Sequence, residues 1–182
     1  MVSTVTPNLY TNLTIHVGFL PEAIAINQQI GDAYLKLGEQ DLLRRSHFFN
    51  GRYENLYLER ALIPAIRRVM AQAEVFAQNI LNQKQELRSG FWMNDMGPGH
   101  VTTEHDHDED DELLSGVYYV QVPENSGDLV ILDKRIHART LVSPQAGMFV
   151  FFAPSAFHSV SANLSEERRL SIGMNFGPIV TI

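Results

Sequence analysis

The chain has 182 residues and 45% hydrophobic content, enough for one domain built around a buried core. A net charge of −7, with the basic residues scattered, argues against nucleic acid and against anionic membrane surfaces as partners. With no cysteine there is no disulfide framework, no thiolate metal site and no cysteine nucleophile; this fits a cytoplasmic chain, and we expect neither a signal peptide nor a membrane-spanning segment.

The apolar period changes near residue 88. From Pro21, the residues Ala23, Ile26, Ile30, Ala33 and Leu37 recur every three or four positions and predict a helix with one buried stripe. Ser46 to Tyr57, which contains Asn50-Gly51, reads as a turn-rich connection. A second helix is expected from about Leu62, its broad apolar face made by Ile66, Val69, Met70, Ala73, Phe76, Ala77, Ile80 and Leu81. Such faces could serve a homodimer.

Beyond residue 88 the period is two. Strands are expected at 90–95, 113–122, 128–132, 147–152, 157–162 and 169–176, with weaker ones near 100–107 and 138–142. Turns separate them at Gly97-Pro98-Gly99, Glu124-Asn125-Ser126-Gly127, Ser143-Pro144 and Ala153-Pro154. About eight short strands point to a sandwich or jelly roll, a mainly β fold with the N-terminal helices packed on one face. We read residues 1–182 as a single domain, with 1–87 a helical N-terminal extension and 88–182 the β core. In the last strand Leu170, Ile172, Met174 and Phe176 form an apolar face. Arg169, Ser171, Gly173 and Asn175 form a polar or empty one.

His105 and His107 form His-x-His, so on a strand both imidazoles leave one face, with backbones roughly 6–7 Å apart. A strand carrying His158 could pair beside them. A polar edge strand would also explain the pair alone. His16, His47 and His137 have no such partners and read as surface or packing residues, while His100 beside a Pro-Gly turn is an outside candidate. The acidic run from Asp106 to Glu112 fails as a calcium loop, since it has no glycine at the sixth position and Val117 stands where the bidentate glutamate belongs. It reads as a solvated loop that can orient the imidazoles.

At these residues the sequence resembles the Fe(II)- and 2-oxoglutarate-dependent oxygenase superfamily, and within it a bacterial and phage branch. The likeness runs from His105-Asp106-His107 through Leu114-Ser115-Gly116-Val117-Tyr118-Tyr119 and His158-Ser159-Val160 to Arg169-Leu170-Ser171-Ile172, over roughly residues 90 to 178. It implies a double-stranded β-helix of cupin-like form, with His105, His107 and His158 as Fe(II) ligands. It also implies that Arg169 holds the far carboxylate of 2-oxoglutarate, with Ser171, Tyr119 and Ser115 as further donors and Asn94 and Trp92 at the entrance. If the last two strands form a hairpin, His158 lies across from about residue 172, leaving Arg169 on the order of 10 Å away. The superfamily usually places Asp or Glu where His107 stands; Asp106 or Asp108 could complete such a triad only after a register slip, and alternation disfavours Asp106.

The expected function is a dioxygenase that hydroxylates a small molecule or peptide side chain while 2-oxoglutarate is converted to succinate. A cupin-like three-histidine metalloenzyme that does not use 2-oxoglutarate is one alternative, and a non-catalytic jelly-roll binding module is another. The primary substrate is not encoded in any motif of the chain.

Overall fold

The computed structural model describes residues 3–5, 13–107 and 111–179. The strands in chain order are β1 (Ser3–Val5), β2 (Ile15–Phe19), β3 (Leu42–Phe49), β4 (Arg52–Leu58), β5 (Leu87–Met96), β6 (Thr102–His105), β7 (Leu114–Gln121), β8 (Leu129–Asp133), β9 (Ala138–Val142), β10 (Met148–Phe152), β11 (Phe157–Val160) and β12 (Arg169–Pro178). Two helices, α1 (Ala23–Tyr34) and α2 (Ile66–Leu81), interrupt the first half. From β5 onward the chain passes back and forth between two antiparallel sheets. β5, β7, β10 and β12 enter the large sheet, and β6, β8, β9 and β11 make the small one. The resulting orders, β10-β7-β12-β5 facing β6-β11-β8-β9, are those of a jelly roll.

The large sheet continues past this core on both sides, through β2 and β1 at one edge and β4 and β3 at the other. The N-terminal segment therefore contributes strands as well as the two expected helices. The turn-rich reading of Ser46–Tyr57 gives way to the β3–β4 hairpin, which reverses at Asn50 and Gly51, both with positive φ (47° and 79°). Its strands carry Arg44, Arg45, Arg52 and Glu54 and lack a clean alternation, because β3 is an edge strand with most of its side chains exposed.

The period-two pattern of β12 has its expected consequence. Leu170, Ile172, Met174 and Phe176 are buried on the outer face of the large sheet, against Ile30 of α1 and Val69, Met70, Ala73 and Phe76 of α2. The apolar helical faces that a second copy could have covered are thus buried within the chain. A second cluster, including Ile15, Val17, Ile131, Val150 and Phe152, fills the space between the sheets. Toward the β6 side this inner space opens into a cavity.

One expected connection is different. β11 and β12 do not form a hairpin: β11 pairs with β6 and β8 in the small sheet, and β12 with β5 and β7 in the large one. The intervening residues cross between sheets, fixed by Asn163, whose Nδ2 donates to the carbonyls of Met96 and Glu167 (both 2.8 Å). Arg169 and His158 therefore face each other from opposite walls. Among the described residues no helix is long and apolar enough to cross a membrane.

Candidate metal centre and its cavity

His105 is the last residue of β6 and pairs in register with His158 on β11. His107 lies just beyond the strand, where its backbone N–H donates to the carbonyl of Pro154 (2.9 Å) in the turn leading to β11. The three rings converge, with centroids 4.3, 5.0 and 5.1 Å apart, and their candidate ligand atoms lie within 4.8 Å of one another. Asp106 is not part of this group, and Asp108 lies outside the described residues.

Two of the rings have their tautomer set by the backbone. Nδ1 of His105 faces the carbonyl of Thr103 at 2.8 Å, and Nδ1 of His158 faces that of Ala156 at 3.0 Å. A carbonyl only accepts, so each Nδ1 carries the hydrogen and each Nε2 keeps a free lone pair. Burial, reinforced by the neighbouring imidazoles, pushes His107 down to about 4 and His158 to about 3. Burial also lowers His105, against the Thr103 carbonyl. All three are neutral at physiological pH, the form in which imidazole binds a metal.

The opposite wall is the inner face of the large sheet, and strand register arranges it in rows. Arg169 pairs with Met96; Ser171 lies between Asn94 and Tyr119; Gly173 lies between Trp92 and Val117. All of these line the same cavity as the three histidines. Gly173 leaves room for the Trp92 ring that lies over it: a Cβ there would fall 2.3 Å from the ring unless the indole shifted. Trp92 in turn stands 5.5 Å from the His107 ring.

Arg169 is 1% exposed, yet among the described residues it has no ion-pair partner. One terminal nitrogen donates to the carbonyls of Ser126 (3.2 Å) and Gly127 (2.7 Å), while its Nε has no partner. The guanidinium lies 5.1 Å over the Tyr119 ring. The Tyr119 hydroxyl, which burial pushes up to about 12 against the pull of the adjacent Arg169 guanidinium, makes no close hydrogen bond, and Asn94 Oδ1 is buried without a partner. A buried cation that feels Asp128 without a salt bridge to it, beside polar groups short of partners, is costly unless an anionic, oxygen-rich ligand completes the set. The residues present thus fit both a metal ion on one wall and a dicarboxylate on the other.

Of the residues expected here, only Ser115 lies outside the cavity. It pairs with Asn175 and donates to its side chain (2.9 Å), six residues along β12 from Arg169, or about 20 Å at strand rise. His100 accepts from the backbone N–H of Gly97 (3.0 Å) away from the triad, and His137 is exposed in the β8–β9 turn. The sequence did not point to Asn55 and His47. Asn55 is buried and lines the cavity, and His47 brings its ring to 5.7 Å from that of His105. Both sit on the β3–β4 hairpin, and no periodicity or spacing links them to the triad.

Fold and site together define a double-stranded β-helix with three convergent histidines able to hold a metal ion. The model of the 2OG-Fe(II) oxygenase superfamily matches residues 91–177, the segment that carries the three histidines and Arg169. Solved structures with the same fold include a Pseudomonas putida prolyl-4-hydroxylase, 17% identical, with 91% of this chain and 93% of that one covered at a TM-score of 0.69. A prolyl hydroxylase from Trichoplax adhaerens, in complex with a hypoxia-inducible-factor peptide fragment, is 11% identical over 90% and 83% of the two chains (TM-score 0.69). The epimerase SnoN of nogalamycin biosynthesis, in complex with Fe3+ and alpha-ketoglutarate, is 16% identical over 91% and 78% (TM-score 0.68). No curated protein matches the chain.

Proposed function

We propose that the protein is an Fe(II)- and 2-oxoglutarate-dependent dioxygenase that hydroxylates a C–H bond of a small molecule or a peptide side chain. The observation that carries this reading is Arg169, a buried guanidinium that makes no salt bridge among the described residues, facing three convergent neutral histidines across one cavity. His105 and His158 would hold the iron through the Nε2 atoms left free by the backbone contacts, with His107 as the third ligand, leaving the remaining positions to cosubstrate and oxygen. When bound, the iron would supply activation of O2, the oxidant, of which one oxygen atom goes to 2-oxoglutarate as it becomes succinate and CO2 and the other to the substrate C–H bond.

The chain's own residues then bind, orient and exclude water. Arg169 offers Nε and a terminal nitrogen as a fork for the far carboxylate, and the hydroxyls of Ser171 and Tyr119 donate to the same group. With its phenol held protonated by burial, Tyr119 remains a donor throughout the working pH range. Asn94, beside Ser171, is the next polar contact along the cosubstrate, whereas Ser115 is too far along the sheet to take part. Met96, Val117, Leu129 and Phe152 close the cavity with apolar surface and keep solvent from the reacting groups. His107 makes the ligand set neutral, so the metal keeps its full positive charge and attracts the dianionic cosubstrate more strongly than a carboxylate-bearing triad would.

Anaerobic addition of 2-oxoglutarate to the Fe(II)-loaded protein should produce a weak visible charge-transfer band, and Arg169→Ala should shift its half-saturation upward at least tenfold without removing the iron. Stoichiometric iron with no band at millimolar 2-oxoglutarate would overturn the proposal in favour of a three-histidine enzyme that does not use this cosubstrate.

A further inference from the structure

The inner face of the large sheet does not end at β5. Arg44 pairs with Tyr57 and Ser46 with Asn55 across the β3–β4 hairpin. Tyr57 approaches Trp92 to 6.1 Å, so these residues continue the metal-facing wall outward as an open shelf.

His47 breaks the strand rule on this shelf. Neighbouring strand residues point to opposite faces, so His47 should point away from the face of Ser46. Its φ is +56°, a left-handed conformation that a residue with a side chain adopts only at a cost. The result is that its ring lies on the same side as Ser46 and Asn55. Ser46 Oγ is 2.9 Å and Asn55 Nδ2 3.0 Å from Nδ1, and the ring reaches toward His105. The Asn55 amide nitrogen can only donate, so Nδ1 accepts and the hydrogen sits on Nε2. Buried Asn55 thereby fixes His47 as an N–H donor at the mouth of the metal cavity.

The charge of the shelf differs from that of the chain. Residues 42–58 contain three arginines and one glutamate in a protein of net charge −7. Arg52 is tied to Glu54 (3.1 Å) and to the carbonyl of Val101 (2.7 Å), and Arg45 pairs with Glu39 (3.2 Å). Arg44 is exposed, lies 4.9 Å over the Tyr57 ring and has no ion pair among the described residues. It leaves a planar fork free for a carboxylate.

We propose that the β3–β4 hairpin is the substrate-binding wall of the site, that His47 donates to an oxygen of the substrate beside the reacting carbon, and that Arg44 binds a carboxylate on the same substrate. This rests on the reading of the cavity as an iron and 2-oxoglutarate site. The carboxylate can belong to a free acid or to an acidic peptide, and the test separates the two.

The protein is loaded with Zn(II) and saturating 2-oxoglutarate. It is then titrated with N-acetyl-L-glutamate or with the acetylated, amidated tetrapeptide of glutamate, following the indole N–H of its single tryptophan, Trp92, by NMR. A saturable shift is expected with at least one probe, and the tighter arm identifies the source of the carboxylate. His47→Gly keeps the left-handed backbone without strain, so the hairpin retains its shape. This variant and Arg44→Ala should each weaken the probe at least tenfold and leave 2-oxoglutarate binding within twofold of the parent. No saturable shift with either probe, or unchanged probe affinity in both variants, would overturn the proposal. A parent protein that fails to bind 2-oxoglutarate at all would instead overturn the reading of the cavity, and this inference with it.

Discussion

The two faces of the large sheet are built by alternate residues of the same strands, yet they obey opposite rules. On the outer face Leu170, Ile172, Met174 and Phe176 interlock with Phe149, Phe151 and the helices, and the cluster is apolar throughout. On the inner face Arg169 and Tyr119 are buried and Asn94 is half-buried, each with a polar atom that makes no close hydrogen bond. Residues separated by one position therefore contribute to different ends: the outer set to stability, the inner set to binding. A cavity that keeps desolvated donors and a cation waiting for a ligand is less stable than a filled core, and the outer face offsets that cost.

Substitutions on the two faces should separate cleanly. Phe149→Ala, at a fully buried position packed against Phe76 (5.4 Å) and Tyr118 (4.5 Å), should cost about 3–5 kcal/mol in chemical denaturation. Metal stoichiometry of the folded fraction should be unaltered. Arg169→Met should do the reverse. Stability should stay within about 1 kcal/mol of the parent, because relief of a buried charge offsets the hydrogen bonds lost to Ser126 and Gly127. Calorimetry should meanwhile show the affinity for 2-oxoglutarate falling by roughly 100-fold, the 2–3 kcal/mol of a charge-assisted contact. If both variants lost stability equally, the division between faces would fail.

The buried imidazoles make the metal-free protein sensitive to acid. The folded values of His107 and His158, about 4 and about 3, lie below the ordinary 6.5 that these residues regain on unfolding. Between these limits the unfolded chain takes up protons that the folded chain refuses. Stability is therefore fully present above about pH 7 and declines as the pH falls through 6.5 toward 4, by up to about 1.4 kcal/mol per pH unit for each histidine. Thermal melts of the metal-free protein from pH 8 to 5 should show this decline, and melts of His158→Gln a shallower one. The smallest effect is expected for Gly173→Ala. Its methyl group meets the Trp92 ring, so the indole emission should change while the melting temperature moves by only a few degrees.

How much of this could be read in the sequence differs by region for physical reasons. The alternation of β12 and the run from Leu114 to Tyr119 were legible because each strand is buried on both faces with different chemistry, and period two records that directly. The histidine cluster was legible because His105 and His107 are local, and His158 sits on a strand that pairs with β6. The β3–β4 hairpin was not, although Asn50-Gly51 is a strong turn signal, since an exposed edge strand bearing Arg44, Arg45 and His47 has no apolar period to display. The hairpin expected between β11 and β12 failed because the crossing from one sheet to the other depends on the Asn163 bonds, which leave no periodic trace. The approach of His47 to His105 depends on a single left-handed residue and is visible only in three dimensions.

The central claim is that one cavity holds a metal on the three histidines and a dicarboxylate on Arg169. Crystals grown without oxygen in the presence of Mn(II) and 2-oxoglutarate, with diffraction recorded on both sides of the manganese absorption edge, test it directly. One anomalous peak is expected within bonding distance of His105, His107 and His158, with a diacid running from it to a carboxylate paired with the Arg169 guanidinium. A peak that lacks His107 or His158, or a diacid whose far carboxylate lies away from Arg169, would contradict it.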